Sequence, residues 1–274
     1  MPEGPEIKRA ADRIAGAIAR QPITEVFFAF DHLKPYEEKL TGQTVFAVAP
    51  RGKALLIRFE NGLNVYSHNQ LYGKWMVRQA YSYPDTNRQL RLALHTPKHS
   101  ALLYSASDIE VVPDAELVTH PFLSRIGPDV LSESVTAEMV QHRLQSKQFY
   151  RRQLAALLLD QQFLSGLGNY LRSEILFKAG VHPKRRPVDC STEKIQALAA
   201  AAIALPQRSY ETGGITNDLQ RAMQLKESGK SWKQYRHYVF YRDGQPCFDC
   251  DTRIRKDSTG GRRFYYCPRC QPEP

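Results

Sequence analysis

The hydrophobic positions change their period along the chain. Over residues 5–20, Ile7, Ala10, Ala11, Ile14 and Ile18 fall three and four apart, with Lys8, Arg9, Asp12 and Arg13 on the other face. That spacing predicts an amphipathic helix anchored to a sheet through Ile7 and Ile14. From 22 to 112 the pattern breaks into short runs rich in β-branched, aromatic and leucine residues. They are Ile23–Phe30, Gln43–Ala49, Ala54–Phe59, Leu63–His68, Lys74–Gln79, Gln89–His95 and Ala101–Ser105. Asn61-Gly62 between two of them is a hairpin signal, and so many short strands predict an antiparallel sandwich.

Helical spacing returns after a linker-like stretch, His120–Pro128. Helices are predicted over about 136–145, Gln153–Asp160, Tyr170–Ala179 and Thr192–Leu205, the last capped by Thr192. Gly166 and Gly168 in the connection before Tyr170 allow close backbone approach. They fit a helix–turn–helix-like arrangement or a plain helical hairpin. Residues 206–237, polar and carrying Gly213-Gly214, are expected to be mostly loop and mobile. Tyr238–Tyr241 and Arg263–Tyr266 have strand composition, and Asp243-Gly244 marks a turn. The fold class is therefore α+β with two domains.

Charge sharpens this division. Residues 1–120 carry 14 Lys+Arg against 13 Asp+Glu, while residues 121–274 carry 24 against 15. The whole chain is +10, and the imbalance points to a polyanion bound mainly through the C-terminal half. Four of the five cysteines form two Cys-x-x-Cys pairs, Cys247/Cys250 and Cys267/Cys270, separated by 16 residues. That spacing suits a closed four-thiolate structural zinc site on two knuckles. Arg253, Arg255, Lys256, Arg262, Arg263 and Arg269 surround it; singly each is a solvated charge, together they suggest phosphate contacts. Neither a signal-like segment nor a membrane-length apolar run is present, so a reducing, cytoplasmic setting is expected.

The first six residues, Met1-Pro2-Glu3-Gly4-Pro5-Glu6, admit two readings. Prolines are favoured in a first helical turn. Alternatively, removal of Met1 frees the secondary amine of Pro2. Its class has a pKa of about 7.7–8.0, so it can attack an aldehyde-like carbon near neutral pH, with Glu3 beside it to move protons. Two loops also stand out. Lys53, after Arg51-Gly52, sits at a turn where it projects from a sheet edge or is simply solvated. Gln70-Leu71-Tyr72 is either minor core or a wedge that fills the hole left by an extruded base.

Taken together, Pro-Glu-Gly-Pro-Glu at 2–6, Lys53 after Arg-Gly, Gly-Leu-Gly-Asn-Tyr at 166–170 and the C-terminal four-cysteine motif resemble the formamidopyrimidine-DNA glycosylase/endonuclease VIII family. The resemblance covers nearly the whole chain. Residues 66–73, 103–110 and 120–123 are similar to its endonuclease VIII branch. It implies an N-terminal catalytic β-sandwich with its helix (1–120), a helix–two-turn–helix DNA-binding domain (121–237) and a zinc finger (238–272). It also implies a monomeric, nucleoid-associated bacterial enzyme that acts on double-stranded DNA with a damaged base or abasic site. Pro2 would be the nucleophile and Glu3 the proton donor. Lys53 and Arg262 would serve elimination, with Arg262 preferred to Arg263 by its register from Cys267. Gln70, Leu71 and Tyr72 would fill the gap in the duplex, and Arg125 and Asn169 would contact phosphates. Glu6 and Glu174 also fall on family positions, where capping or structural roles are equally open. Oxidised pyrimidines such as thymine glycol are the expected substrates. Gly213-Gly214-Ile215-Thr216 resembles a segment of the branch that takes 8-oxoguanine. Two other classes remain, a non-catalytic DNA-binding protein and a zinc-ribbon scaffold for proteins. Neither needs Pro2 next to Glu3, and the scaffold does not need the basic half.

Overall fold

The computed structural model describes residues 2–273; Met1 lies outside them. The chain divides into two compact units, Met1–Arg125 and Ile126–Pro274.

In the first unit, helix α1 (Gly4–Ile18) is followed by eight strands. They are β1 (Glu25–Phe28), β2 (Val45–Arg51), β3 (Ala54–Phe59), β4 (Leu63–His68), β5 (Lys74–Gln79), β6 (Leu90–His95), β7 (His99–Tyr104) and β8 (Asp108–Pro113). They form two antiparallel sheets, ordered β2-β3-β4-β8 and β1-β6-β7-β5. The predicted stripe of α1 is buried, and Ile7, Ile14 and Ile18 share one core with Val45, Ile57, Leu94 and Leu103 from both sheets. Each fully buried side chain of this kind contributes roughly 1.5–3 kcal/mol.

Two elements were not legible in the pattern. Strand β8 reads Asp-Ile-Glu-Val-Val-Pro. As an edge strand it tolerates charges and a terminal proline. Short helix α2 (Pro35–Leu40) begins on a proline, buries Leu40, and turns Glu37 to accept the Phe28 N–H at 2.6 Å. The β3–β4 hairpin closes through Gly62, whose φ of +78° suits a three-residue loop.

The second unit packs α3 (Ala137–Gln145), α4 (Leu154–Leu157), α5 (Asn169–Lys178) and α6 (Thr192–Glu211) around Leu144, Leu157, Leu171, Ile175 and Leu198. Helix α4 is shorter than expected. Asp160 pairs with Arg152 at 2.6 Å and accepts the Gln162 N–H at 2.8 Å, which turns the chain. Ser191, not Thr192, caps α6. The helix continues through Pro206 because its buried face does: Ser209 Oγ meets the Tyr170 hydroxyl at 2.9 Å.

The expectation of a mobile loop over 206–237 is replaced by the end of α6, then α7 (Leu219–Glu227) and α8 (Trp232–Tyr235). Asp218 caps α7, and a Ser231–Gln234 capping box starts α8. Tyr238–Tyr241 is not a strand. The tail instead carries one hairpin, β9 (Arg255–Thr259) and β10 (Arg262–Tyr266). Both turn residues, Gly260 and Gly261, have positive φ, as a tight hairpin turn requires.

The division between units falls five residues past the expected boundary. His120 is buried against the Tyr66 ring at 4.5 Å, with Phe122 beside it, so the start of the linker belongs to the sandwich. Residues 238–273 do not separate from the helices: Phe177 of α5 shares a core with Val239, Ile254 and Tyr265. Among the described residues, no helix is long and apolar enough to cross a membrane.

Candidate active site and metal centre

Pro2 immediately precedes Glu3, the N-cap of α1. Glu3 and Glu6 form a capping box in which the Glu3 N–H donates to Glu6 Oε2 at 2.9 Å. Glu3 is only 3% exposed. Pro2 therefore stands at the positive end of a fifteen-residue helix, where the dipole disfavours protonation of an amine. Both readings of the opening hexapeptide thus describe the same geometry, and Glu6 is accounted for by capping.

Lys53 lies in the two-residue turn between β2 and β3, after Gly52 with φ +61°. It is not a solvated turn lysine, being 6% exposed. Helix α1 packs against both flanking strands. Burial depresses the His68 pKa, opposed by the Asp108 carboxylate, and the Lys53 ammonium adds a smaller push in the same direction as burial.

The β4–β5 loop presents Leu71 at 60% and Tyr72 at 71% exposure, which excludes the core reading of Leu71. Its shape is held from several sides. Gln70 sits at φ +47°, its Oε1 accepting from Ser107 at 3.0 Å and its N–H donating to His68 Nδ1 at 3.1 Å. Arg88 donates to the Tyr72 carbonyl at 2.6 Å. A Cβ on Gly73 would lie 2.7 Å from the Asn69 backbone, so only glycine closes the turn. Arg125 is exposed at the end of this unit.

In the second unit, Asn169 opens α5 behind the N-cap Gly168. Its Oδ1 accepts from Arg172 at 2.5 Å, which leaves Nδ2 as the amide's donor. Arg172 is wholly buried. It also donates to the carbonyls of Ala155 and Arg263, each at 2.7 Å, and its guanidinium lies over the Phe264 ring. Arg262 shares the Phe264 face of β10, by strand alternation, and Arg263 the opposite one. Arg172 thus ties Asn169 to the hairpin that presents Arg262. Sequence reasoning passed over it. No hydropathy pattern marks it, because Ser173 and Glu174 follow it in the same helix.

Glu174, two residues on, is also fully buried. Its carboxylate accepts from Thr216 Oγ1 at 2.5 Å and from the N–H groups of Tyr238, Val239 and Phe240 at 2.7, 2.8 and 3.0 Å. These bonds gather 238–240 around one side chain and explain why the segment forms no strand. Glu174 is therefore a framework residue. Burial pushes its carboxyl up, while the four donors favour the anion. Burial holds neighbouring His237 neutral, well below the ordinary imidazole range.

The sulfurs of Cys247, Cys250, Cys267 and Cys270 all lie within 4.8 Å of one another. Three of the separations are 3.4, 3.5 and 3.9 Å. Tetrahedral zinc–sulfur bonds of about 2.3 Å require edges of about 3.8 Å, so the donor set fits a four-coordinate metal. Gln271 braces the second knuckle, accepting the Cys267 N–H at 3.0 Å and donating to the Val181 carbonyl at 2.9 Å.

Comparison with known proteins agrees with this construction. The formamidopyrimidine-DNA glycosylase N-terminal domain matches residues 1–107, and the formamidopyrimidine-DNA glycosylase H2TH domain matches 126–221. Endonuclease 8 of Klebsiella pneumoniae and that of Escherichia coli are each 49% identical over 271 residues, covering 99% of this chain and all of theirs. The chain belongs to the formamidopyrimidine-DNA glycosylase/endonuclease VIII family. Membership makes it a base-excision repair enzyme, a DNA glycosylase with abasic-site lyase activity. The family fold extends to distant solved structures. Lactococcus lactis formamidopyrimidine-DNA glycosylase bound non-covalently to abasic-site DNA has a TM-score of 0.80 at 20% identity, covering 99% of this chain and all of that one. MutM in complex with DNA containing carbocyclic 8-oxo-G has a TM-score of 0.81 at 22% identity, with the same coverage.

Proposed function

We propose that the enzyme removes oxidised pyrimidines, thymine glycol among them, from double-stranded DNA through the N-terminal amine of Pro2. The observation that carries this reading is the placement of Pro2 and buried Glu3 at the capped start of α1. After Met1 is removed, the Pro2 nitrogen attacks C1′ of the damaged nucleotide. Glu3 gives a proton as the sugar ring opens and the base departs, leaving a cationic iminium. The iminium draws electrons from the C2′–H bond. β-Elimination expels the 3′ phosphate and δ-elimination then expels the 5′ phosphate, with Lys53 and Arg262 serving these steps. Hydrolysis of the iminium frees the amine.

Gln70, Leu71 and Tyr72 enter the duplex where the base has left, supported by the exposure of the last two. Arg125 and Asn169 bind flanking phosphates. Zinc in the four-cysteine site has a structural part, holding the β9–β10 hairpin and its arginines in place. The work is divided among 1–120 for chemistry, 121–237 for DNA binding and 238–272 for the finger. The protein acts as a cytoplasmic monomer on chromosomal DNA. The pyrimidine preference is supported by the 49% identity to endonuclease 8 over the length of the chain.

Borohydride trapping on matched duplexes with thymine glycol, 8-oxoguanine or an abasic site tests the proposal. The expected result is a covalent adduct with thymine glycol and the abasic site, lost when an uncleaved N-terminal extension, verified by mass spectrometry, keeps the Pro2 nitrogen an amide. Undiminished trapping with that extension in place rules out the Pro2 amine. Preferential trapping with 8-oxoguanine overturns the pyrimidine assignment.

A further inference from the structure

In the first unit, a cavity of about 510 Å³ opens between α1 and β5, the free edge strand of its sheet. Three separate elements send cations to it: Arg13 from α1, Lys74 and Arg78 from β5, and Arg88 from the loop before β6. Asp85 is the only acid that lines it. Among the described residues, none of these four cations forms an ion pair. The buried ring of Trp75 contributes to the apolar part of the wall.

Cations scattered on a basic surface have solvent between them and need no explanation. Here four converge on one concavity from elements distant in sequence, against a single lining carboxylate, Asp85, which forms an ion pair with none of them. Such a site is complementary to an anion. The low-dielectric wall strengthens the attraction by limiting solvent screening. Three of the cations are arginines with no protein carboxylate on their forks, Arg13, Arg78 and Arg88, and a guanidinium suits bidentate contact with phosphate oxygens. The cavity size lies in the range of small-ligand sites.

We propose that this groove is a phosphate-binding site, separate from the proposed lyase residues. Its ligand is a phosphate group with a nucleoside attached, either a free nucleotide or one unit of a DNA strand. Lys74 directly follows the exposed loop at 70–73, and Arg88 both lines the groove and bonds the Tyr72 carbonyl. Occupancy would therefore be felt at that loop.

The test uses the full-length, zinc-loaded protein with Trp232→Phe, which leaves Trp75 as the sole tryptophan. Arg13→Met/Arg78→Met is compared with Arg13→Lys/Arg78→Lys. One arm titrates inorganic pyrophosphate and thymidine monophosphate against Trp75 fluorescence. A saturable change that is abolished in the methionine pair and kept in the lysine pair supports a free-nucleotide site. The other arm measures abasic-DNA affinity against salt. A slope reduced by about 1.8 in the methionine pair, for two phosphate contacts at roughly 0.9 each, and restored by lysine supports a strand of DNA in the groove. No fluorescence response together with an unchanged slope overturns the proposal. The DNA arm rests on the DNA-binding reading above. If the unmutated protein binds no abasic DNA, that reading fails, and the fluorescence arm alone decides the groove.

Discussion

Glu174→Gln isolates the bond set that holds the finger segment to α5. Glu174 Oε2 accepts from Thr216 Oγ1 and the Tyr238 N–H, and Oε1 from the N–H groups of Val239 and Phe240. Glutamine has nearly the same shape but keeps only one acceptor oxygen. Oriented to preserve Val239 and Phe240, its NH₂ faces the Tyr238 N–H, and that donor is left buried without a partner. An orphaned donor costs about 1–3 kcal/mol, and each hydrogen bond to a charged group is worth about 1.5–3 kcal/mol against about 1 for a neutral one. Removing the charge also removes its desolvation cost, the burial that pushes the carboxyl up. The expected net loss is about 3 kcal/mol. Urea unfolding followed by far-UV circular dichroism reads mainly the second unit, where six of the eight α-helices among the described residues lie. With a slope of about 2 kcal/mol per molar urea, the midpoint falls by about 1.5 M. Amide exchange at Tyr238, Val239 and Phe240 should accelerate more than at the core of α6. A loss under about 1 kcal/mol with unchanged protection of those amides would refute the reasoning, because it would mean that the carboxyl is already protonated and offers no more than glutamine does.

Cys267→Ser should release the metal and weaken DNA binding by at least about tenfold, since the finger arginines lose their common support; zinc measured by atomic absorption and affinity by anisotropy check this, and full affinity without metal would contradict it. Stability should also fall in acid. Burial is the first cause depressing both His237 and His182, so between the ordinary value of 6.5 and the lower folded values the unfolded chain binds more protons. Stability is complete above about pH 6.5 and is lost as pH falls, by up to about 1.4 kcal/mol per pH unit for each histidine. Urea midpoints from about pH 7.5 to about pH 5 test the sign, and a flat profile in the native protein, or an undiminished slope in His237→Asn, would count against it.

What the sequence made legible was whatever repeats. Strands β3, β4 and β5 have the bounds their composition predicted, and the stripe on α1 faces the core. The cysteine spacing announced a metal site that the sulfur positions then fit. Failures came where a few polar atoms outweigh the pattern. Residues 206–237 look like loop because they are polar, yet Asp218 and Ser231 are helix caps, and Thr216 and Asn217 are buried by hydrogen bonds that no hydropathy reading registers. Tyr238–Tyr241 has strand composition, but its N–H groups go to a carboxylate and not to a neighbouring strand. Arg172 gave no signal in the pattern for the same reason, and Glu174 fell on a family position with its role left open. Each is a charge whose partners include backbone groups, up to 91 residues away for Arg172.

The opening hexapeptide shows why choosing between a structural and a chemical reading can be the wrong question. Pro5 and the Glu3–Glu6 capping box start a helix as any such sequence would. That same start fixes the one place where an N-terminal amine would meet the positive end of a helix dipole and a buried carboxyl together. If Glu3 were needed only as a cap, aspartate or serine would serve equally well. The proposed proton transfer requires more, a carboxyl at this side-chain length. Capping strength and lyase rate should therefore separate in Glu3→Ser: helix stability is kept within about 1 kcal/mol while adduct formation on the thymine glycol duplex is lost. Retention of both would leave the capping box as the whole of what Glu3 does.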